Sequence, residues 1–228
     1  NGMGSVKIFC VRIGTKYGPE YEDYINSKLS NHEVIWIREP FHPHVPLQWN
    51  KLQVFNMDID EPVIVMDIDK LLINDYEDVI NYPCEKNEFV SIPYWWNFNG
   101  TPFKMSGGFY KFWPSRTKHI YQKFMSDISY YTNYYIKAGL TNGPVNGEFM
   151  FVQDSLYGMD LKLMPDAWFT RWLSSDDKEM CAKLTDRYYE VTGNEYIYNG
   201  QFHPDLKIVH FTNSMNKPHE WKDYDRFI

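Results

Sequence analysis

The chain has 228 residues, a formal net charge of −7 and no long basic run. That length suits one large domain, residues 1–228, with a single core, and the charge balance excludes a duplex nucleic-acid footprint, which needs clustered cations. Cys10, Cys84 and Cys181 are too few and too widely spaced for a CxxC zinc site or a disulfide framework. No apolar run approaches the roughly 20 residues that span a bilayer, and no signal-peptide pattern opens the chain. A reducing, cytoplasmic setting is therefore expected. Residues 1–5 read as a cloning remnant.

In chain order, residues 6–13 read as a first buried strand, followed by Gly14 and Thr15. A helix is expected over 19–29 and a strand over 34–37. Pro40, Pro43 and Pro46 make 40–46 a loop. A helix follows over 47–57, with Trp49, Leu52 and Phe55 at i, i+3, i+6. Residues 62–66 form a short apolar strand, 75–80 a short helix and 88–92 another strand. An aromatic loop spans 94–103, then a strand 104–113 that contains Ser106-Gly107-Gly108. Pro114 starts the next helix, where Ile120, Phe124 and Ile128 share a face. A loop covers 142–144, a helix 147–156 and a strand 161–164. The last clear strand, 206–211, leads into a polar loop up to Lys217-Pro218. Strands and helices alternate through the first half, the pattern of an α/β fold with a mainly parallel sheet flanked by helices.

The chemistry concentrates after the third strand. Pro62-Val63-Ile64-Val65-Met66 ends in Asp67-Ile68-Asp69. Two acids at the carboxyl end of a buried strand need compensation, and open α/β sheets bind ligands at that edge. A divalent cation with oxygen ligands, beside a substrate phosphate, meets the need. The same dipeptide pattern at Asp58-Ile59-Asp60 closes a helix and reads as a solvated turn. A second constellation ends the last strand: His210, with Lys217 seven residues on. Imidazole suits Mn²⁺-type cations and an ammonium suits phosphate.

In these motifs the chain resembles the GT-A glycosyltransferases, and most closely the glycogenin/galactosyltransferase group, family 8. That group carries a strand-end DxD and a late His-Phe-x-Gly-x-x-Lys-Pro-Trp signature. Here the counterparts are Asp67 and Asp69, then His210-Phe211, Lys217-Pro218 and Trp221 with stretched spacing, and Asn213 or Ser214 where the Gly would be. The resemblance implies that Asp67, Asp69 and His210 hold Mn²⁺ or Mg²⁺ and that Lys217 meets the donor diphosphate. It implies nucleobase contact at Ile13, Gly14 and Thr15, and donor contact at Asp67, Ser106, Gly107 and Gly108, with Met105 in place of the group's Asn. Trp49-Asn50-Lys51-Leu52 matches the helix before the DxD strand, which adds Lys51 to the donor-binding set. Gln153-Asp154 matches the acidic segment beside the anomeric centre, which makes Asp154 the expected catalytic group. The chain also resembles the glycosyltransferase domain of large algal-virus capsid glycosylation enzymes. The implied activity is metal-dependent transfer from a UDP-sugar to a hydroxyl of a glycan or glycoprotein, with retention, and with no nucleic-acid partner.

Two alternatives stand beside this. A haloacid-dehalogenase-type phosphatase also places DxD after a buried strand, though on the first strand. A non-catalytic nucleotide- or carbohydrate-binding module would tolerate the departures at Met105 and Asn213/Ser214. The aromatic run Tyr94-Trp95-Trp96-Asn97-Phe98, with Trp168 and Trp172, reads equally as an acceptor surface or as packing.

Overall fold

The fold is taken from a computed structural model, which describes residues 4–211 and 217–223. It opens with β1 (Lys7–Val11), α1 (Pro19–Lys28) and β2 (Glu33–Ile37), then a 3₁₀ helix, Leu47–Asn56. Next come β3 (Val63–Met66), β4 (Lys70–Leu72), α2 (Glu77–Ile80), β5 (Glu88–Pro93) and β6 (Met105–Phe112). A 3₁₀ turn at Pro114–Arg116 precedes α3 (Lys118–Ser126) and α4 (Ile128–Lys137). They are followed by α5 (Glu148–Asp154), β7 (Asp160–Leu163), β8 (Phe169–Trp172) and α6 (Lys178–Thr192). The hairpin β9 (Ile197–Tyr198) and β10 (Gln201–Phe202), then β11 (Ile208–Phe211) and a 3₁₀ turn at Pro218–Asp223, end the described chain.

Six strands form the central sheet in the order β2-β1-β3-β6-β5-β7. β1 runs parallel to β2 and β3, and β5 parallel to β7; only β6 opposes its two neighbours. Strand alternation divides the apolar residues between two faces. Ile8, Cys10, Ile64 and Met66 face α1, the smaller sheet and α6, whereas Phe9, Val11, Val63 and Val65 face the 3₁₀ helix, α3 and α5. Helices on both faces give the layered α/β architecture expected from the sequence.

A second sheet, β4-β11-β8, abuts the first. β4 begins at Lys70, so the tripeptide 67–69 joins one sheet to the other. β11 pairs antiparallel with β4 and parallel with β8. Both flanking strands are additions to the sequence reading.

Two helices depart from expectation for local reasons. The 47–56 segment is 3₁₀, and its apolar residues at i, i+3, i+6 have the three-residue period of that helix, in which such positions eclipse. Trp49, Leu52 and Phe55 are all fully buried. The helix expected after Pro114 is broken at Asp127, whose side chain accepts the Tyr130 backbone N–H at 3.0 Å and caps α4. Ile128 therefore starts α4 rather than continuing the face of Ile120 and Phe124.

Candidate functional site

The central sheet carries Asp67 to a cleft of about 780 Å³ at the carboxyl ends of β1 and β3. The Asp67 N–H donates to Gly108 O at 2.9 Å and so continues the β3–β6 ladder by one residue. The Asp69 carbonyl accepts from Phe211 N at 3.0 Å, which sets it beside β11. Asp67, Asp69 and His210 all line the cleft. Asp58 and Asp60 lie in an exposed turn, with Lys118 on Asp58 and the Ser115 hydroxyl on Asp60 at 2.8 Å, as the sequence implied.

Asp69 Oδ2 accepts the Tyr17 hydroxyl at 3.2 Å, and Asp69 Oδ1 lies 3.5 Å from His210 Nδ1. Burial alone would raise the Asp69 pKa, but His210, Lys70 and Tyr17 together hold it well below the usual carboxylate range. Burial and the two acids push Tyr17 far above its ordinary value, so it remains a donor. Lys70 is buried, with Nζ 3.1 Å from His210 Nδ1.

Asp67 is met from the interior. Lys51 Nζ lies 2.7 Å from Asp67 Oδ1 and 2.8 Å from Glu148 Oε1, while the Tyr110 hydroxyl donates to Glu148 Oε2 at 2.7 Å. Burial pushes the Lys51 pKa down, but the two carboxylates outweigh it and hold the ammonium above its ordinary range. Burial dominates at Glu148 and raises its carboxyl. Glu148 opens α5 and lines the cleft.

Ser106 also lines the cleft, and Gly107 and Gly108 line an adjoining recess of about 170 Å³. Both glycines have positive φ, +76° and +78°. A Cβ on Gly108 would come within 2.5 Å of Lys70 Nζ and 3.1 Å of Asp67 Oδ2; one on Gly107 would come within 2.5 Å of Phe149 Cβ. Only glycine lets the backbone pass this close to the acids. Met105 points the other way into the core, so the cleft-facing residue of this strand is Ser106.

The cleft thus gathers Ile13, Lys51, Asp67, Asp69, Ser106, Gly108 and His210. Gly14 and Thr15 follow Ile13 on an exposed turn, with Gly14 at φ +84°, and are not among the lining residues. Lys217 opens the closing 3₁₀ turn, 4.0 Å from Glu220, outside the lining. That turn packs on α1 through His219 and Tyr21, ring centroids 4.7 Å apart. Asn213 and Ser214 lie outside the described residues, as does the Trp221 side chain. Asp154 is exposed at the far end of α5, where it accepts the Tyr135 hydroxyl at 2.7 Å; it does not line the cleft, and the acid of this helix that does is Glu148. Of the aromatic run, Trp95 is packing, its Nε1–H bonded to Phe169 O at 2.7 Å, whereas Tyr94 and Trp96 reach the recess.

Among the described residues no three His, Cys, Asp or Glu side chains already form a metal-ligand set. The donors nevertheless fit a hard cation. Asp67 Oδ1 and Asp69 Oδ1 are buried and accept no aligned hydrogen bond, although Lys51 approaches the first closely, and His210 stands next to the second. Tyr17, Lys70, Arg171 and Glu148 complete the surroundings; none was identified from the sequence.

No family model and no curated protein matches the chain by sequence. Among solved structures it is similar to the glycosyltransferase GlyE of Streptococcus pneumoniae TIGR4, with TM-score 0.56 and 12% identity over 97% of this chain and 60% of that one. The apo form of GlyE gives 0.54 at 11% identity, with the same coverage of both chains. An active-site mutant of LgtC gives 0.50 at 10% identity, over 93% of this chain and 89% of that one. The chain spans 60% of the length of GlyE. At such identities the likeness is one of fold. The architecture is that of the GT-A glycosyltransferases, a Rossmann-like, mainly parallel sheet flanked by helices.

Proposed function

We propose that this chain is a metal-dependent glycosyltransferase that moves a sugar from a nucleotide donor, a UDP-sugar, to a hydroxyl of a glycan or glycoprotein, with retention as in the family 8 enzymes. The observation that carries the reading is the convergence of Asp67, Asp69, His210 and the Ser106–Gly108 backbone on one cleft of a GT-A fold. Mn²⁺ or Mg²⁺ would be held by Asp67, Asp69 and His210 and would supply positive charge for the leaving diphosphate. The chain's own residues prepare that site: Tyr17 orients Asp69, Lys51 holds Asp67, and the bare glycine backbone leaves room for the donor sugar. Ile13, Lys16 and Tyr17, which line the cleft just after β1, would meet the nucleobase. We assign the acid that stabilises the oxocarbenium-like sugar to Glu148 rather than Asp154; the support is that Glu148 lines the cleft whereas Asp154 is exposed at the far end of the same helix. Lys217 lies outside the cleft lining, and its contact with the donor phosphate rests on the family resemblance alone.

The test is UDP release from a panel of UDP-hexoses with Mn²⁺, with and without simple glycoside acceptors, for wild type and Asp69→Ala. Release that depends on Mn²⁺ and is lost in Asp69→Ala is expected. Donor binding without turnover on any acceptor would instead make the chain a binding module.

A further inference from the structure

Three basic side chains stand side by side in the smaller sheet. His210 is in register with Lys70 of β4 on one side and with Arg171 of β8 on the other. Register partners on neighbouring strands project from the same face, and all three line the 170 Å³ recess beside Asp67. Two cations, Lys70 and Arg171, thus flank one imidazole, and burial of Lys70 adds to the cost of gathering them. Asp67 and Asp69 offset Lys70 at one end of the row; Arg171, at the other end beyond His210, has Tyr94, Tyr196 and Asp177 as electrostatic neighbours. The recess stays open because Gly107 and Gly108 bring no side chain into it.

The geometry points to this row as a direct oxyanion site. Lys70 and Arg171, flanking His210, would bind a substrate oxygen through charge-assisted hydrogen bonds with no cation between. The proposal rests on the nucleotide-sugar reading of the cleft and narrows it. The donor offers two sources of such an oxygen: its diphosphate, or the carboxylate of an acidic sugar, whose two oxygens match the planar guanidinium fork.

Calorimetric titration of UDP, UDP-glucose and UDP-glucuronate, in Mn²⁺ and in EDTA, distinguishes them. Wild type is compared with Arg171→Met and Lys70→Met, each checked for native circular dichroism. UDP binding in EDTA that weakens about tenfold in Arg171→Met assigns the row to the diphosphate. UDP binding that needs Mn²⁺, with UDP-glucuronate preferred to UDP-glucose by about tenfold and the preference lost in Arg171→Met, assigns it to a sugar carboxylate. If one variant fails to fold, the same comparison is made with the other and with Arg171→Lys, which keeps the charge but removes the planar fork. Mn²⁺-dependent binding with equal affinity for the two sugars, or EDTA binding indifferent to both substitutions, overturns the proposal and leaves the transferase reading intact. No nucleotide binding under either condition overturns both.

Discussion

Lys51 meets Asp67 from inside the protein, Nζ to Oδ1 at 2.7 Å, with Glu148 on its other side at 2.8 Å. One ammonium thus serves two carboxylates, one at the cation end of the cleft and one at the head of α5. Lys51→Met takes from both acids the ammonium they share and should cost about 3–5 kcal/mol of stability. Urea unfolding measures this. Adding Glu148→Gln to that variant should recover part of the loss, since one of the stranded charges is removed. A Lys51→Met protein as stable as wild type would mean that the network carries no net energy.

The two acids of α5 separate by kinetics. Glu148→Gln should lower kcat by about 100-fold with little change in donor affinity, as expected for a group that acts mainly in the transition state. Asp154→Asn, on the exposed end of the helix, should leave turnover within about twofold of wild type. Steady-state kinetics with UDP release checks both; the opposite pattern would return the catalytic role to Asp154.

Gly108 and Gly193 share a left-handed backbone, φ +78° and +75°, but differ in surroundings. A Cβ at Gly193 meets nothing within 4 Å, whereas at Gly108 it meets Lys70 and Asp67. Gly193→Ala should cost about 1 kcal/mol through conformation alone. Gly108→Ala should cost about 2–3 kcal/mol and also weaken nucleotide binding, because Lys70 must give way. Thermal melts and UDP titration on the same two proteins test the contrast; equal losses would remove the close-approach argument.

Lys111 provides a pH signature away from the cleft. It is buried, with Nζ donating to the carbonyls of Ile80 and Tyr82, each at 2.7 Å. Burial pushes its pKa down to about 8 from the 10.5 of a free lysine. Between those values the unfolded chain binds more protons than the folded one, so this residue's contribution to stability rises with pH across that window. The stability of wild type relative to Lys111→Met should therefore climb from pH 8 to pH 10 in paired urea titrations. A flat difference would show that the lysine titrates normally.

The parts of the fold legible in the sequence are those with local signals. The apolar run 63–66 ending in two acids marked β3, and the structure has Asp67 directly at its carboxyl end. The i, i+3, i+6 spacing of Trp49, Leu52 and Phe55 was visible, but it signals a 3₁₀ helix and was read with a looser helical template. Helix α6 carried both its punctuation marks, Asp177 as N-cap and Gly193 as its left-handed stop. Only Leu184 and Tyr188 along it are buried, too few to give the sequence a clear apolar stripe. β4 and β8 are short, and their pairing with β11 links residues far apart in the chain, which no window of sequence contains. Glu148 was hidden for the same reason: an acid opening a helix reads as favourable to the helix dipole, and its partner Lys51 lies 97 positions away.

Asp67, Ile68 and Asp69 are not a loop laid over one sheet but the joint between two. β3 delivers the tripeptide and β4 takes it away within three residues, while Phe211 of β11 grips it through the Asp69 carbonyl. Any ligand that binds there couples the opening of the small sheet to its own release. Amide exchange along β11 should therefore slow when the cleft is filled, reporting occupancy from a strand that carries only His210 into the cleft.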